Sequence, residues 1–106
     1  MKLKQGVKLN GVRPELVLAI FIIEKIYTKH STELVITSVT DSKHGKGSFH
    51  YLGLAVDLRT RDFKSNEIIN TVKKEIKEAL GDEFDVLHEY SEAAKVGHFH
   101  VEFQPK

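Results

Sequence analysis

The sequence predicts an α+β domain: an antiparallel sheet of about four strands with two helices packed on one face. Three observations lead there. Two stretches carry apolar residues at helical density, after Pro14 and after Ser65. Four shorter stretches are rich in β-branched residues or alternate apolar and polar side chains. The connections are mostly local, and no linker or repeat divides residues 1–106, a length that suits one hydrophobic core.

Each element follows in order. Residues 1–13 are polar with apolar beads at Leu3, Val7, Leu9 and Val12, and read as a lead-in loop. Pro14 suits the first position of a helix reaching about Lys29, because its missing N–H would be unpaired there anyway. That helix is apolar nearly all round from Leu16 to Ile23, which predicts burial on more than one side. Glu33 to Val39 reads as a strand, and Thr40 to Ser48 as a loop. Leu54 to Arg59 alternates, with Ala55, Asp57 and Arg59 on one face and Leu54, Val56 and Leu58 on the other. Ser65 is the expected N-cap of a second helix, packing through Ile68, Ile69, Val72, Ile76, Ala79 and Leu80 and stopped by Gly81. Phe84 to Glu89 is a strand, and Tyr90 to Gly97 a polar loop. The last strand, His98 to Gln104, turns Phe99, Val101 and Phe103 to the core and His98, His100 and Glu102 away from it.

Composition narrows the function classes. A net charge of +1 argues against a nucleic-acid partner. The longest apolar run is too short to span a bilayer, and the first helix lacks the basic face of a membrane-surface helix, so no membrane insertion is expected. No export signal precedes it, which predicts synthesis in the cytoplasm. The chain has no cysteine, so any metal must be held by His, Asp or Glu. Neither a Walker motif nor a glycine-rich strand-to-helix turn is present. Oligomeric state is not encoded in any pattern here.

Two patterns carry chemistry. His50 and Asp57 lie seven positions apart at the mouth of an apolar run, and His98-Phe99-His100 follows near the C-terminus. Two imidazoles and one carboxylate are the usual protein complement of a catalytic zinc, with a fourth position open to water. An unpaired carboxylate amid the apolar neighbours of Asp57 would be costly, so Asp57 wants a cation: a metal, or Arg59 or Arg61. His98 and His100 share a face, so spacing alone leaves the third ligand open between them. Glu89 is the candidate general base, with Glu92 and Glu102 as rivals. His44, in a glycine-flanked loop, is placed to bind substrate or developing oxyanion charge. His30 and His88 read as structural or solvent-facing.

The segment Ser48-x-His50-x-x-Gly53-x-Ala55-x-Asp57 resembles the signature of the zinc D-Ala-D-Ala carboxypeptidase and L-alanyl-D-glutamate endopeptidase superfamily, whose fold the hedgehog signalling domain shares. The longer run His44-x5-His50-Tyr51-x-Gly53-x-Ala55-Val56-Asp57 is similar to hedgehog and to small bacteriophage peptidases, and His98-Phe99-His100-Val101-Glu102 resembles their C-terminal half. The resemblance covers about residues 35–104. It implies a hedgehog-like fold with zinc held by His50, Asp57 and His100, Glu89 as catalytic base, His98 and His44 lining the site, and Ser48 supporting His50. It also implies a substrate in bacterial peptidoglycan, a stem peptide cut at a bond involving a D-amino acid. The brevity of the chain suggests a phage lysis or virion-associated enzyme, made in the host cytoplasm and acting on the cell wall. The alternative within the same resemblance is a zinc-stabilised, hedgehog-like binding module without catalysis.

Two departures stand out. Relatives carry an arginine after the strand that precedes the zinc motif, where this chain has Thr37-Ser38-Val39-Thr40. That favours an endopeptidase over a carboxypeptidase unless Lys43 or Lys46 substitutes. The gap from Glu89 to His98 is also longer than in many relatives.

Overall fold

The computed structural model describes residues 1–40, 52–91 and 96–105. In chain order the elements are β1 (Lys2–Leu3), α1 (Pro14–Lys29), β2 (Val35–Ser38), β3 (Ala55–Arg59), α2 (Asn66–Leu80), β4 (Phe84–Ser91) and β5 (Val96–Phe103). They form an α+β domain whose sheet runs β1-β2-β3-β5-β4. The β1–β2 pair is parallel and the remaining pairs are antiparallel. The sheet therefore has five strands and is mixed, which corrects the expected antiparallel sheet of about four.

The difference lies in the first 13 residues, read from sequence as loop. Lys2 N–H donates to the Leu34 carbonyl at 2.8 Å and Lys4 N–H to Ile36 at 2.9 Å, laying the N-terminus along β2. A parallel neighbour requires a long crossover, and α1 supplies it. Nothing in the local pattern announces β1, because both of its residues are exposed and a pair cannot alternate.

Helix α1 begins at Pro14 with Glu15 in its first turn, favourable at the positive end of the helix dipole. Its buried stripe is Leu16, Ala19, Ile20, Ile23 and Tyr27. Leu18, Phe21 and Ile22 are exposed, so the helix is covered on one side only and not on several. In α2 the Ser65 hydroxyl accepts from Ile68 N–H at 3.2 Å, as the N-cap reading requires. Ile69, Val72 and Ile76 are buried and Ile68 and Leu80 partly so, whereas Ala79 is exposed, contrary to its expected place in the packing.

One core joins both helices to the inner face of the sheet. Val56 and Leu58 of β3, Phe99 and Val101 of β5, Ile36 of β2 and Val86 of β4 meet Leu16, Ile23, Tyr27, Val72 and Ile76 there. The Tyr27 hydroxyl donates to the Arg59 carbonyl at 2.7 Å, which ties α1 to the end of β3. Gly53, just before β3, has φ +73°, and a Cβ there would overlap the Gly11 carbonyl. Its own carbonyl accepts from Arg13 N–H at 3.0 Å. This close approach locks the N-terminal segment onto the entry to β3, and only glycine permits it. Because β3 and β5 alternate, the same packing that buries Val56, Leu58, Phe99 and Val101 turns Asp57, His98, His100 and Glu102 to the opposite face.

A candidate metal centre on the open face of the sheet

Register assembles the site. In the β3–β5 ladder Asp57 is opposite His100, Arg59 opposite His98, and Ala55 opposite Glu102. In the β4–β5 ladder Glu89 is opposite His98. The chain separation between Glu89 and His98 is therefore immaterial. Pairing between antiparallel strands places the two side by side, however long the connection.

The side chains converge. His100 Nδ1 donates to Asp57 Oδ1 at 3.0 Å, and His100 Nε2 donates to Glu102 Oε1 at 2.7 Å. Gln104 caps the other Glu102 oxygen. His98 Nε2 donates to Glu89 Oε1 at 2.9 Å and lies 4.0 Å from Asp57 Oδ1. One oxygen or nitrogen from each of Asp57, Glu89 and His98 falls within 4.8 Å of the others. That spacing lets one cation touch all three.

Electrostatics agrees with geometry. Three carboxylates, Asp57, Glu89 and Glu102, gather around two imidazoles. His100 places both ring nitrogens on carboxylates, and an imidazole that donates twice must carry a proton on each nitrogen. Asp57 first, then Glu102, hold its pKa up to about 9 against the opposing cost of burial. A proton thus occupies the place of a cation at His100. The donor set of imidazole nitrogen and carboxylate oxygen, with no thiolate, suits zinc.

Depth separates the members. The side chains of Asp57, His100 and Glu102 are 16%, 14% and 16% exposed, whereas His98 and Glu89 are 34% and 52% exposed. Asp57 and His100 are held where a ligand must be rigid. His98 and Glu89 stand where an incoming molecule can reach them.

Of the residues singled out from sequence, Asp57, Glu89, His98 and His100 are brought together. His44, Ser48 and His50 lie outside the described residues, as do Glu92, Lys43 and Lys46. Arg59 and Arg61 make no ion pair with Asp57 among the described residues, so the arginine explanation of that carboxylate loses ground to the histidine cluster. Glu102, a third choice as base, is instead the acceptor that orients His100. Alternation alone had already put it on that face. Among the histidines set aside, His30 Nε2 meets Glu75 at 2.5 Å between the two helices. His88 points to the helix side of β4, 3.4 Å from the Thr60 hydroxyl, and burial lowers its pKa, helped by Lys73 and His98.

No helix among the described residues is long and apolar enough to cross a membrane. Comparison with models of known protein families, with curated proteins and with solved structures found no match.

Proposed function

We propose that this chain is a zinc peptidase that hydrolyses bonds involving D-amino acids in the stem peptides of bacterial peptidoglycan, as an endopeptidase of phage lysis or entry. The observation that carries the reading is the convergence of Asp57, Glu89 and His98 within 4.8 Å, beside an Asp57–His100 contact of 3.0 Å, on rigid paired strands. The motif resemblance supplies the substrate class.

Asp57 and His100, the deeper pair, act as zinc ligands together with His50. A bound zinc supplies a Lewis acid and lowers the pKa of water toward neutrality. Glu89 takes the proton from the attacking water and returns it to the leaving amine, which its exposure and its reach beside His98 permit. His98 donates toward the oxygen that gains negative charge. Glu102 fixes the His100 ring, as acceptors behind metal-bound histidines do. The two possible three-residue sets divide on Glu89: if Asp57, Glu89 and His98 held the ion, Glu89 could not also be the free base.

The test is mass spectrometry of muropeptides after incubation with zinc-loaded protein, beside a Glu89→Ala variant whose zinc content is measured. New fragments from the wild type alone, with zinc retained in the variant, support the peptidase and the role of Glu89. Intact muropeptides with zinc bound in both proteins would overturn the peptidoglycan reading in favour of a binding module or of a substrate outside the cell wall. Loss of zinc in the variant would make Glu89 a ligand.

A further inference from the structure

The open face is electrically divided. Asp57, Glu89 and Glu102 gather around His98 and His100, while the cavity that His98 shares with Arg59 toward β1 is lined by bases. This cavity of about 250 Å³ is lined by Lys4, Thr37, Arg59, Arg61, Val96, Gly97 and His98. Its place follows from the ladders. Lys4 N–H bonds Ile36 beside Thr37, Thr37 lies next to β3 through its hydroxyl, which donates to the Asp57 carbonyl at 3.3 Å, and Arg59 is opposite His98. A row thus crosses the sheet from Lys4 through Thr37 and Arg59 to His98 and Glu89.

Among the described residues no acid lines this cavity, and Lys4, Arg59 and Arg61 make no salt bridge. Three like charges around one concavity repel each other unless an anion joins them. Guanidinium groups match a carboxylate in shape and hydrogen-bonding pattern. Cations scattered over a convex surface would need no such partner. These share a hollow that opens onto His98.

We propose that Lys4, Arg59 and Arg61 form a carboxylate-binding subsite of the metal centre, selecting peptides that carry a free carboxylate beside the scissile bond. The word substrate rests on the peptidase reading, but the binding of the anion does not. These cations stand just after β1, at the end of β3 and just beyond it, not on the Thr37-Ser38-Val39-Thr40 segment. The missing arginine of that segment therefore no longer argues against recognition of a carboxylate.

Binding is followed by backbone-amide NMR of the zinc-loaded protein. Two blocked peptides are titrated: N-acetyl-L-alanyl-D-alanine, with only a terminal carboxylate, and N-acetyl-L-alanyl-γ-D-glutamyl-L-lysine amide, with only an internal one. Each is paired with its fully amidated form. The expected result is shifts at Lys4, Thr37, Arg59, Arg61 and His98, with affinity for one acid at least about tenfold above its amide. That preference collapses in Arg59→Gln/Arg61→Gln and weakens in the exposed-site variant Lys4→Gln. Whichever acid shows the preference names the source of the carboxylate. Equal binding of acid and amide overturns the proposal in the wild type, without need of any variant. So does acid binding that survives in the double variant, which would place the carboxylate on the zinc. Anion binding without cleavage leaves the subsite standing and removes the peptidase reading.

Discussion

Strands β3 and β5 have two faces built by the same backbone for opposite purposes. On the inner face Val56, Leu58, Phe99 and Val101 are fully buried against the helices. On the outer face Asp57, His98, His100 and Glu102 gather in a network of imidazole and carboxylate groups. The inner face lowers the free energy of the fold by removing apolar surface from water. The outer face does not. It crowds carboxylates together and needs a proton at His100 to hold them. Apolar side chains in the same places would need no such proton, and this contrast is what makes the outer face a candidate site.

Substitutions can break the contrast from either side. The largest expected loss is on the inner face: Phe99→Ala should cost about 3–5 kcal/mol in chemical denaturation, whether or not metal is present. A loss below about 1 kcal/mol would mean that β5 is not anchored by its inner face.

The outer face should reveal itself through pH. The folded pKa of His100 is raised to about 9, above the ordinary value near 6.5. Its stabilisation of the metal-free protein is then fully present below about pH 6.5 and is lost as pH rises through about 9. Partial exposure screens the effect to on the order of 1–2 kcal/mol. Denaturation midpoints of metal-free protein should fall between those pH values, and His100→Gln should flatten the slope. An unchanged slope in the variant would dismiss the doubly donating imidazolium.

Two smaller effects calibrate the comparison, since neither touches the site. Ser65→Ala removes the α2 cap and should cost about 1 kcal/mol with zinc content unaltered. Glu75, whose pKa is lowered by Lys29 and then His30, contributes stability above the ordinary carboxylate range that fades as pH falls through its folded value. It is only partly buried, so water screens its ion pairs and Glu75→Gln should change stability by only a few tenths of a kcal/mol at neutral pH. A larger loss would show that the helix-to-helix ion pairs, and not the shared core, hold α1 to α2.

What the sequence disclosed follows the range of the forces involved. The Pro14 start, the Ser65 cap and the alternation of His98 to Phe103 are local, so both helices and four strands were legible. So was the alternation that sets His98 and His100 on one face of their strand and Asp57 with Arg59 on one face of its own, though the β3–β5 register was needed to join them. β1 was not, because two exposed residues pair with a strand more than 30 positions away. The exposed side of α1 was hidden too, since an apolar run does not say how much of itself finds cover. Glu89 was named on type and position, but its contact with His98 depends on register across a hairpin. The basic cavity was invisible for the same reason. Lys4, Thr37, Arg59 and Arg61 are scattered in the chain and meet only through the order of strands.

The central claim is that the outer face of β3 and β5 is a zinc site. It is tested most directly by the zinc content of purified wild-type protein and of Asp57→Asn and His100→Ala variants, measured by elemental mass spectrometry after dialysis. The account predicts about one zinc per wild-type chain, as a single catalytic site holds, and nearly none in either variant. A wild type that retains no zinc, or variants that retain it fully, would contradict the account.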